Sequence, residues 1–191
     1  MNKSDVFEWM KNSQRRQLLL KKIKQPMTVS QLANQTKLQR EACTFLLWQL
    51  SVYCLVKCLN KEARACRLYW LTDSGKDCQR RLLREECLPA IEYNFPRVDW
   101  KLYGWVCYRH RSTVLKTMVM PMQPAEIKRR ALAQNPLLRM NVNNVLDVLR
   151  DFLSNGLVRV LSFSKQKRRI YELTEVGKAF QELLNRAEVM A

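Results

Sequence analysis

Apolar side chains recur every three or four residues in three stretches of the first half of the chain, which predicts three short helices. The first spans residues 15–23 and ends before Pro26, because proline cannot continue a helix. The second begins after Thr28, whose hydroxyl can cap it, and a polar turn over residues 34–37 follows. The third spans residues 39–51, and its inner-facing side chains are Ala42, Phe45, Leu46 and Leu50. The pattern therefore predicts helix, turn and helix in succession.

Two short stretches rich in β-branched and aromatic residues follow these helices, at residues 53–59 and 67–71. They flank a polar and basic tip at residues 60–65, which predicts a β-hairpin. Thr72 comes next and can cap a further helix, which carries Cys78, Leu82 and Leu83 on one side. The first half of the chain is thus expected to form three helices, a hairpin and a closing helix.

The chain contains an internal repeat. A shift of 102 residues aligns residues 67–82 with residues 169–184, and eight of the sixteen positions are identical. The identical residues of the first copy are Arg67, Tyr69, Leu71, Thr72, Gly75, Lys76, Gln79 and Leu82. The same shift places residues 55–57 on residues 157–159, so the spacing within each copy is equal. Agreement of this length indicates a repeated structural unit.

The second half repeats the order of elements. Its predicted helices span residues 105–119, 124–133 and 141–153, its hairpin strands span 158–163 and 169–173, and its closing helix spans 175–187. The turn over residues 134–140 is several residues longer than its counterpart in the first half. Prolines among aromatic residues over about 84–101 predict a connector that packs rather than a loose linker. We expect a mainly α fold with small β-hairpins (α+β), with domains at residues 1–88 and 103–191 and a connector at 89–102.

Charge is the first indication of function. The chain of 191 residues carries 34 Lys and Arg against 17 Asp and Glu, a formal net charge of +17. The excess is even: residues 1–88 hold 17 basic and 8 acidic side chains (+9), and residues 89–191 hold 17 and 9 (+8). A polyanionic partner is expected, although a basic protein can also use its charge for solubility or a membrane surface. No stretch has the length of a membrane-spanning helix and no signal-peptide core follows the first residues, so a cytoplasmic protein is expected.

The cysteines suggest neither a disulfide framework nor a metal site. There are seven of them, an odd number. Cys54, Cys58 and Cys66 could suggest zinc, but the paired spacing of structural zinc sites is missing and His110 is distant in sequence. Buried free thiols are therefore expected, with no metal ion and no cofactor.

The second copy carries Gly156-Leu-Val158 after its third helix and Tyr171-Glu-Leu-Thr-Glu-Val-Gly-Lys178 after its hairpin. With these motifs the repeat resembles the winged helix-turn-helix transcription regulators of the MarR, PadR and ArsR type. The first copy carries Tyr69-Trp-Leu-Thr-Asp-Ser-Gly-Lys76, but Cys54 stands where this family has the glycine that ends the helix. Since glycine accepts the left-handed conformation more readily than cysteine, a distorted turn is expected at Cys54.

The resemblance implies that the third helix of each copy lies in the major groove of DNA, with the hairpins on phosphates. The candidate base-reading residues are Gln39, Arg40, Thr44, Asn141, Asn143, Asn144 and Arg150, among which Asn141 is the one most suited to capping its helix. The candidate phosphate contacts are Lys37, Lys61, Arg64, Arg67, Lys128, Arg129, Arg130, Arg139, Lys165, Lys167, Arg168 and Arg169. The tryptophans Trp48, Trp70, Trp100 and Trp105 are expected in the core or in an interface rather than on bases.

The sequence therefore predicts sequence-specific binding of double-stranded DNA by a transcriptional regulator associated with the nucleoid, with the second copy as the stronger reader. Two alternatives remain: an initiator of plasmid-type replication or partition, and a winged-helix scaffold for protein contacts. An enzyme is not expected, because no glycine-rich phosphate loop, histidine triad or paired metal carboxylates occur. Two chains could pair through the closing helix, or the two copies could act as an internal pseudo-dimer.

Overall fold

A computed structural model describes residues 3–162 and 169–189. The fold is mainly helical with small antiparallel sheets, which confirms the expected α+β class. The chain divides into two compact units. The first unit comprises the residues up to Phe95, Asp99–Trp105 and the end of the last helix from Ala187, and the second comprises Pro96–Val98 and Val106–Arg186.

The described elements up to residue 85 are five helices and three strands, and the strands form one sheet. They are α1 (Lys3–Lys11), α2 (Gln14–Lys22), β1 (Met27–Thr28), α3 (Val29–Thr36), α4 (Arg40–Val52), β2 (Val56–Cys58), β3 (Leu68–Leu71) and α5 (Asp73–Glu85). The sheet is antiparallel, in the order β1-β3-β2. The predicted helices and hairpin are all present. The sequence pattern missed α1, in which Phe7 and Met10 are the deeply buried residues among the described side chains.

The start of α3 follows the predicted capping. The Thr28 hydroxyl accepts from the Gln31 N–H at 3.3 Å, and the Gln31 side-chain oxygen accepts from the Thr28 N–H at 2.8 Å. The predicted polar turn over residues 34–37 is mostly wrong, because α3 continues to Thr36. The Thr36 hydroxyl donates to the Leu32 carbonyl at 2.7 Å, and only Lys37 leaves the helix, at φ 57°.

The remaining elements repeat this order. They are α6 (Trp100–Val106), α7 (Arg109–Thr117), α8 (Pro124–Gln134), α9 (Val142–Ser154), β4 (Val158–Ser162), β5 (Ile170–Leu173) and α10 (Glu175–Val189). The single helix expected over residues 105–119 is wrong: α6 and α7 are separate, since Tyr108 has extended backbone angles (φ −66°, ψ 140°). Ser13 makes the equivalent break between α1 and α2.

The offset between equivalent elements changes at one place. It is 95 residues for the elements from α2 to α3 and 102 residues from α4 onward. Of the seven additional residues, three lengthen α8, which has 11 residues against 8 in α3. The other four lengthen the turn before α9. The longer turn predicted for the second copy is thus confirmed, and the insertion leaves the elements on either side unchanged.

The turn after the third helix is the same in both copies. Cys54 has φ 55° and Gly156 has φ 67°, so both adopt the left-handed conformation. The Leu55 N–H donates to the Leu50 carbonyl at 2.8 Å, and the second copy makes the equivalent bond at 2.9 Å. The distorted turn expected at Cys54 is therefore wrong. The cysteine keeps the geometry of the glycine at a conformational cost.

Replacing Cys54 with glycine is expected to stabilise the protein. The left-handed conformation costs a residue with a β-carbon roughly 1–2 kcal/mol, and the greater freedom of glycine in the unfolded chain offsets part of that. We expect the free energy of unfolding to rise by about 0.5–1 kcal/mol in urea denaturation. Gly156→Ala is the reciprocal control and should lower it by a similar amount. A less stable Cys54→Gly variant would mean that the thiol contributes packing that exceeds the backbone cost.

The identical residues of the repeat at 67–82 and 169–184 form a shared signature. Its Thr-x-x-Gly part joins the turn after the third helix to the closing helix. The Thr72 hydroxyl donates to the Cys54 carbonyl at 2.5 Å and accepts from the Gly75 N–H at 3.0 Å. Thr174 makes the same two bonds in the second copy, at 2.6 and 3.2 Å. The hydroxyl therefore caps the closing helix and holds the turn at the same time.

The two glycines of the signature permit a close backbone approach. A β-carbon at Gly75 would lie 1.9 Å from the Leu55 carbonyl oxygen, and one at Gly177 would lie 2.1 Å from the Leu157 carbonyl oxygen. Both obstacles are backbone atoms that cannot rotate away. No residue with a side chain fits at either position without a shift of the main chain.

The glutamine of the signature forms hydrogen bonds with the last backbone carbonyls of an earlier helix. Gln79 is fully buried, and its amide donates to the carbonyls of Leu20 at 2.6 Å and Ile23 at 3.0 Å. Gln181 does the same for the last carbonyls of α7, at 2.8–3.3 Å. Since terminal helix carbonyls lack partners within their own helix, these glutamines replace solvent there.

The connector packs, as predicted. The rings of Tyr93 and Phe95 contact the Trp70 ring edge-on, with centroids 5.4 and 5.3 Å apart, and Phe95 also contacts Trp100. The Tyr93 hydroxyl donates to the Gln79 side-chain oxygen at 2.5 Å. The connector thereby completes the hydrogen bonding of a buried amide.

The cysteines are less buried than expected. Cys43 and Cys78 are buried, and burial raises the pKa of the Cys78 thiol to about 11. Three of the others, Cys54, Cys66 and Cys87, have positive φ and therefore lie in turns, which the sequence pattern did not indicate. Within residues 3–162 and 169–189 no three His, Cys, Asp or Glu side chains are grouped so as to hold a metal ion. In the same ranges no helix has the length and apolar character to cross a membrane.

Candidate nucleic-acid interface

Helix α9 has a polar exposed face. Val145, Val148, Leu149 and Phe152 are buried and fix the opposite side of the helix in the core. Asn143, Asp147 and Arg150 are exposed, and the Arg150 guanidinium lies 2.7 Å from the Asp147 carboxylate. This ion pair is solvated, so it orients the two side chains without contributing much stability. Amide, carboxylate and guanidinium groups are thus presented together on one face.

Two of the candidate base readers on α9 cap the helix. The Asn141 side-chain oxygen accepts from the Asn144 N–H at 2.8 Å, and the Asn144 side-chain oxygen accepts from the Asn141 N–H at 3.0 Å. Bidentate recognition of adenine needs both the oxygen and the nitrogen of an asparagine side chain. These bonds therefore favour Asn143 over Asn141 and Asn144 as the reader.

A groove of about 630 Å³ lies beside α9 in the second unit. It is lined by Gln123, Pro124, Ala125, Val142, Leu146, Arg150, Arg169 and Tyr171. The lining comes from the start of α8, from α9 and from the hairpin. Arg150 and Arg169, two of the candidate DNA contacts, therefore face the same groove although 19 positions separate them in sequence.

The cations of α8 are partly neutralised within the helix. Arg129 and Arg130 both pair with Glu126, each at 2.6 Å. The hydrogen bonds from Arg130 and Arg129 hold the pKa of the Glu126 carboxyl below its usual value. Lys128 is half-buried and Arg139 is exposed in the turn before α9. The exposed Arg139 therefore adds positive charge next to the start of α9 in sequence, whereas Glu126 partly neutralises the α8 arginines.

The hairpin of the second unit is described only in part. Three of its four candidate phosphate contacts, Lys165, Lys167 and Arg168, lie outside the described residues. Arg169 is exposed directly before β5. On β4, Arg159 pairs with Glu172 across the hairpin at 2.6 Å, so this arginine is held by an acidic neighbour.

Helix α4 presents a different kind of face. Phe45, Trp48 and Val52 are 57%, 61% and 58% exposed. The shift of 102 residues pairs them with Asp147, Arg150 and Ser154. The expected inner position of Phe45 is wrong, and Trp48 does not lie in the core, because Cys43, Leu46, Leu47 and Leu50 already fill the buried side of α4. The two third helices therefore agree in position and differ in surface chemistry.

The polar candidates of the first unit lie at the start of α4. Gln39 precedes the helix and makes no capping bond through its side chain. Gln39, Arg40 and Lys37 are all exposed. The Thr44 hydroxyl donates to the Arg40 carbonyl at 2.8 Å, so its proton is used within the helix.

The hairpin tip of the first unit is fixed by Asn60. This buried side chain accepts from the Leu68 N–H at 2.7 Å and donates to the Cys66 carbonyl at 3.2 Å. The three candidate phosphate contacts of this tip are exposed: Lys61, Arg64 and Arg67. Arg67 also donates to the Ala63 carbonyl at 3.1 Å. The basic side chains thus project from an ordered loop.

Comparison with known proteins gives no match to a family model, to a curated protein or to a solved structure. Function is therefore inferred from the geometry of each unit and from the internal repeat. The internal repeat also allows a comparison, because the two copies of one framework can be matched position by position.

Sequence reasoning missed two features of the candidate surface of the first unit, the exposed apolar face of α4 and the buried Asn60 under the hairpin tip. The first had a signal in the sequence. Phe45 and Trp48 align with Asp147 and Arg150 at the 102-residue shift, and a position that is charged in one copy favours an exposed position in the other. Asn60 gave no comparable signal, because asparagine is common in solvated turns.

Proposed function

We propose that the chain binds duplex DNA in a sequence-specific manner, as a transcriptional regulator built from two winged helix-turn-helix domains. The observation that carries the proposal is the exposed polar face of α9, which lies next to a groove lined by Arg150 and Arg169. Groups that recognise base edges and groups that bind phosphates are therefore adjacent in the second unit. We propose the second unit as the reader of sequence.

The order of the elements supports the winged-helix interpretation. In each copy four helices precede a hairpin, the last two of them in the place of the helix-turn-helix, and a closing helix follows it. A short segment before α3 or α8 pairs with the second strand of the hairpin. In the first unit β1 pairs with β3, and in the second Met122 bridges Tyr171. This arrangement is the one expected of a helix-turn-helix with a wing.

The dimensions of α9 suit the major groove. An α-helix with its side chains is about 10–12 Å across, and the major groove is roughly 12 Å wide. Asn143 is suited to adenine and Arg150 to guanine, because each can form two hydrogen bonds with one base. The exposed Arg139 and the basic hairpin supply positive charge on either side of the helix in sequence.

The proposal predicts a loss of specificity when the α9 side chains are removed. Selection of bound duplexes from a random pool should enrich one sequence for the wild-type protein. Asn143→Ala and Arg150→Ala should each relax the preference at one base pair, by about 1–3 kcal/mol of discrimination. Fluorescence anisotropy with the enriched duplex and its single-base variants measures this difference.

A matched control for Arg150 lies on α5. Arg80 pairs with Asp77 at 2.6 Å in the same i, i+3 arrangement and is similarly exposed. Arg80→Ala removes the same charge and the same kind of ion pair, so it should leave the base preference unchanged. Equal effects of Arg80→Ala and Arg150→Ala would show that α9 contributes only charge, and the failure to enrich any sequence would overturn specific binding.

A further inference from the structure

We propose that helix α4 of the first unit binds unpaired nucleobases, which stack on Phe45 and Trp48. The site is separate from the duplex-reading face proposed for α9. It would give the protein a second nucleic-acid specificity, for single-stranded or locally melted segments.

The two aromatic rings form a platform. Their centroids are 5.8 Å apart and their planes are inclined by 25°, and each residue is more than half exposed. Residues three positions apart on a helix are neighbours on the same face. The position of Val52, seven residues after Phe45, extends the apolar surface along the helix. An aromatic face of this kind offers stacking area to a planar ring.

The fold does not account for these exposed rings. The buried side of α4 is complete without them, and α9 occupies the same place in its unit with Asp147 and Arg150 at these positions. Exposed aromatic neighbours are unfavourable in water unless a partner covers them. The difference between the two copies therefore points to a ligand of α4 rather than to a structural need.

The charge around α4 indicates which kind of molecule binds its exposed aromatic face. Each of Arg40, Thr44 and Trp48 is four residues from the next, so the three side chains lie along one side of the helix. Glu41 is the acidic residue of this exposed face. Exposed cations precede the helix at Lys37 and follow it in the hairpin at Lys57, Lys61, Arg64 and Arg67. Residues 1–88 carry 17 basic and 8 acidic side chains. A second copy of the chain would bring the same positive charge against itself, which disfavours self-association.

A polyanion that also presents aromatic faces matches both the exposed rings of α4 and the positive charge of the first unit. Single-stranded DNA and RNA bind proteins through cations on the phosphates and aromatic side chains against the bases. In an undistorted duplex the base faces are covered by their neighbours, so stacking on this platform requires bases that are unpaired or unstacked. The structure thus favours unpaired nucleic acid over a duplex at α4.

The test uses the full chain and three probes: a 20-nucleotide oligothymidylate, the matching oligouridylate, and a 20-base-pair duplex. The variant Phe45→Asp with Trp48→Arg introduces the residues of α9 and leaves the net charge unchanged. We expect it to bind the single strands at least about tenfold more weakly, since stacking supplies much of such binding. Duplex affinity should change by less than twofold. The two single strands show whether DNA or RNA is preferred.

Three controls separate stacking from other effects. Tyr108→Ala removes an exposed aromatic side chain elsewhere and should leave single-strand binding unchanged. Phe45→Leu with Trp48→Leu keeps an apolar face and should lose single-strand affinity, because leucine offers no aromatic surface. Equal thermal unfolding midpoints show that the variants remain folded. Trp48 is the most exposed of the five tryptophans, so bound oligothymidylate should also protect it from acrylamide quenching.

Several outcomes would overturn the inference. Unchanged single-strand binding by the Asp/Arg variant would exclude the platform, as would wild-type protein that binds the duplex but neither single strand. The latter result would leave the function proposed for α9 intact. A wild-type dimer in sedimentation velocity that dissociates in the Asp/Arg variant but persists in the leucine variant would assign the face to contact between two copies. Single-strand binding without any sequence-selective duplex binding would support α4 and contradict the role of α9.

Discussion

Alanine at Gly75 or Gly177 is expected to lower the free energy of unfolding by about 3 kcal/mol. The new β-carbon would lie 1.9 or 2.1 Å from the carbonyl oxygen of Leu55 or Leu157. Relief requires the closing helix to move away from the turn, which would also lengthen the hydrogen bonds of the capping threonine. Urea denaturation of each single variant, followed by circular dichroism, measures the loss.

Gly156→Ala separates crowding from backbone preference. Gly156 has φ 67°, but among the described residues no atom beyond its chain neighbours lies within 4 Å of the place where its β-carbon would be. This variant should therefore lose only the left-handed preference, about 1 kcal/mol. If Gly75→Ala and Gly177→Ala are no more harmful than Gly156→Ala, the close approach between the turn and the closing helix is not essential to the fold.

Replacing Gln79 with methionine is expected to destabilise the first unit by about 3 kcal/mol. Methionine has a similar volume but cannot donate to the carbonyls of Leu20 and Ile23, and the Tyr93 hydroxyl loses its acceptor. Each buried polar group left without a partner costs about 1–3 kcal/mol, and relaxation recovers part of the sum. Chemical denaturation monitored by tryptophan fluorescence gives the free energy of unfolding.

Tyr93→Phe is the milder control. It removes the single hydrogen bond to Gln79 and leaves the contact of the ring with Trp70 in place. We expect a loss of about 1 kcal/mol. A Gln79→Met variant as stable as Tyr93→Phe would show that water reaches the two carbonyls, and the buried amide would then serve specificity of packing more than stability.

Much of the framework could be predicted because its determinants are local. Thr28 begins α3 through a cap that the sequence shows directly, and Thr72 does so for α5. The hairpins follow from short runs of β-branched and aromatic residues on either side of a basic tip. The 102-residue repeat supplied a second, independent view of each element. Local rules and internal agreement together were sufficient for the helices and hairpin strands that the two copies share, but not for α1, β1 or the division between α6 and α7.

The errors arose where tertiary structure overrides a local preference. The apolar pattern continues through Tyr108, so it could not reveal the break between α6 and α7. Because glycine adopts the left-handed conformation more readily than cysteine, the sequence predicted a distorted turn at Cys54. The hydrogen bonds on both sides of that residue nevertheless hold it in the left-handed conformation. Helix α4 contains more apolar residues than one side of a helix can bury. The apolar pattern therefore could not exclude Phe45 from the core.

The candidate site was predicted less well than the framework. Periodicity identifies which face of α9 is exposed, and it correctly left Asn143 and Arg150 outside the core. It could not show that Asn141 and Asn144 would bond to each other's backbone. The meeting of Arg150 and Arg169 at one groove depends on the packing of α9 beside the hairpin, which no spacing in the sequence encodes.

The residues shared by the two copies have a consequence for how such a protein can diversify. Thr72, Gly75 and Gln79, with their counterparts, hold the closing helix to the rest of its own unit, and none of the three faces the proposed ligands. After a duplication, selection on these positions maintains both frameworks. The exposed residues of each third helix can then change in sequence without loss of the fold. One ancestral binding module could in this way have acquired two chemistries, an amide-and-guanidinium surface and an aromatic one, without passing through an unfolded intermediate.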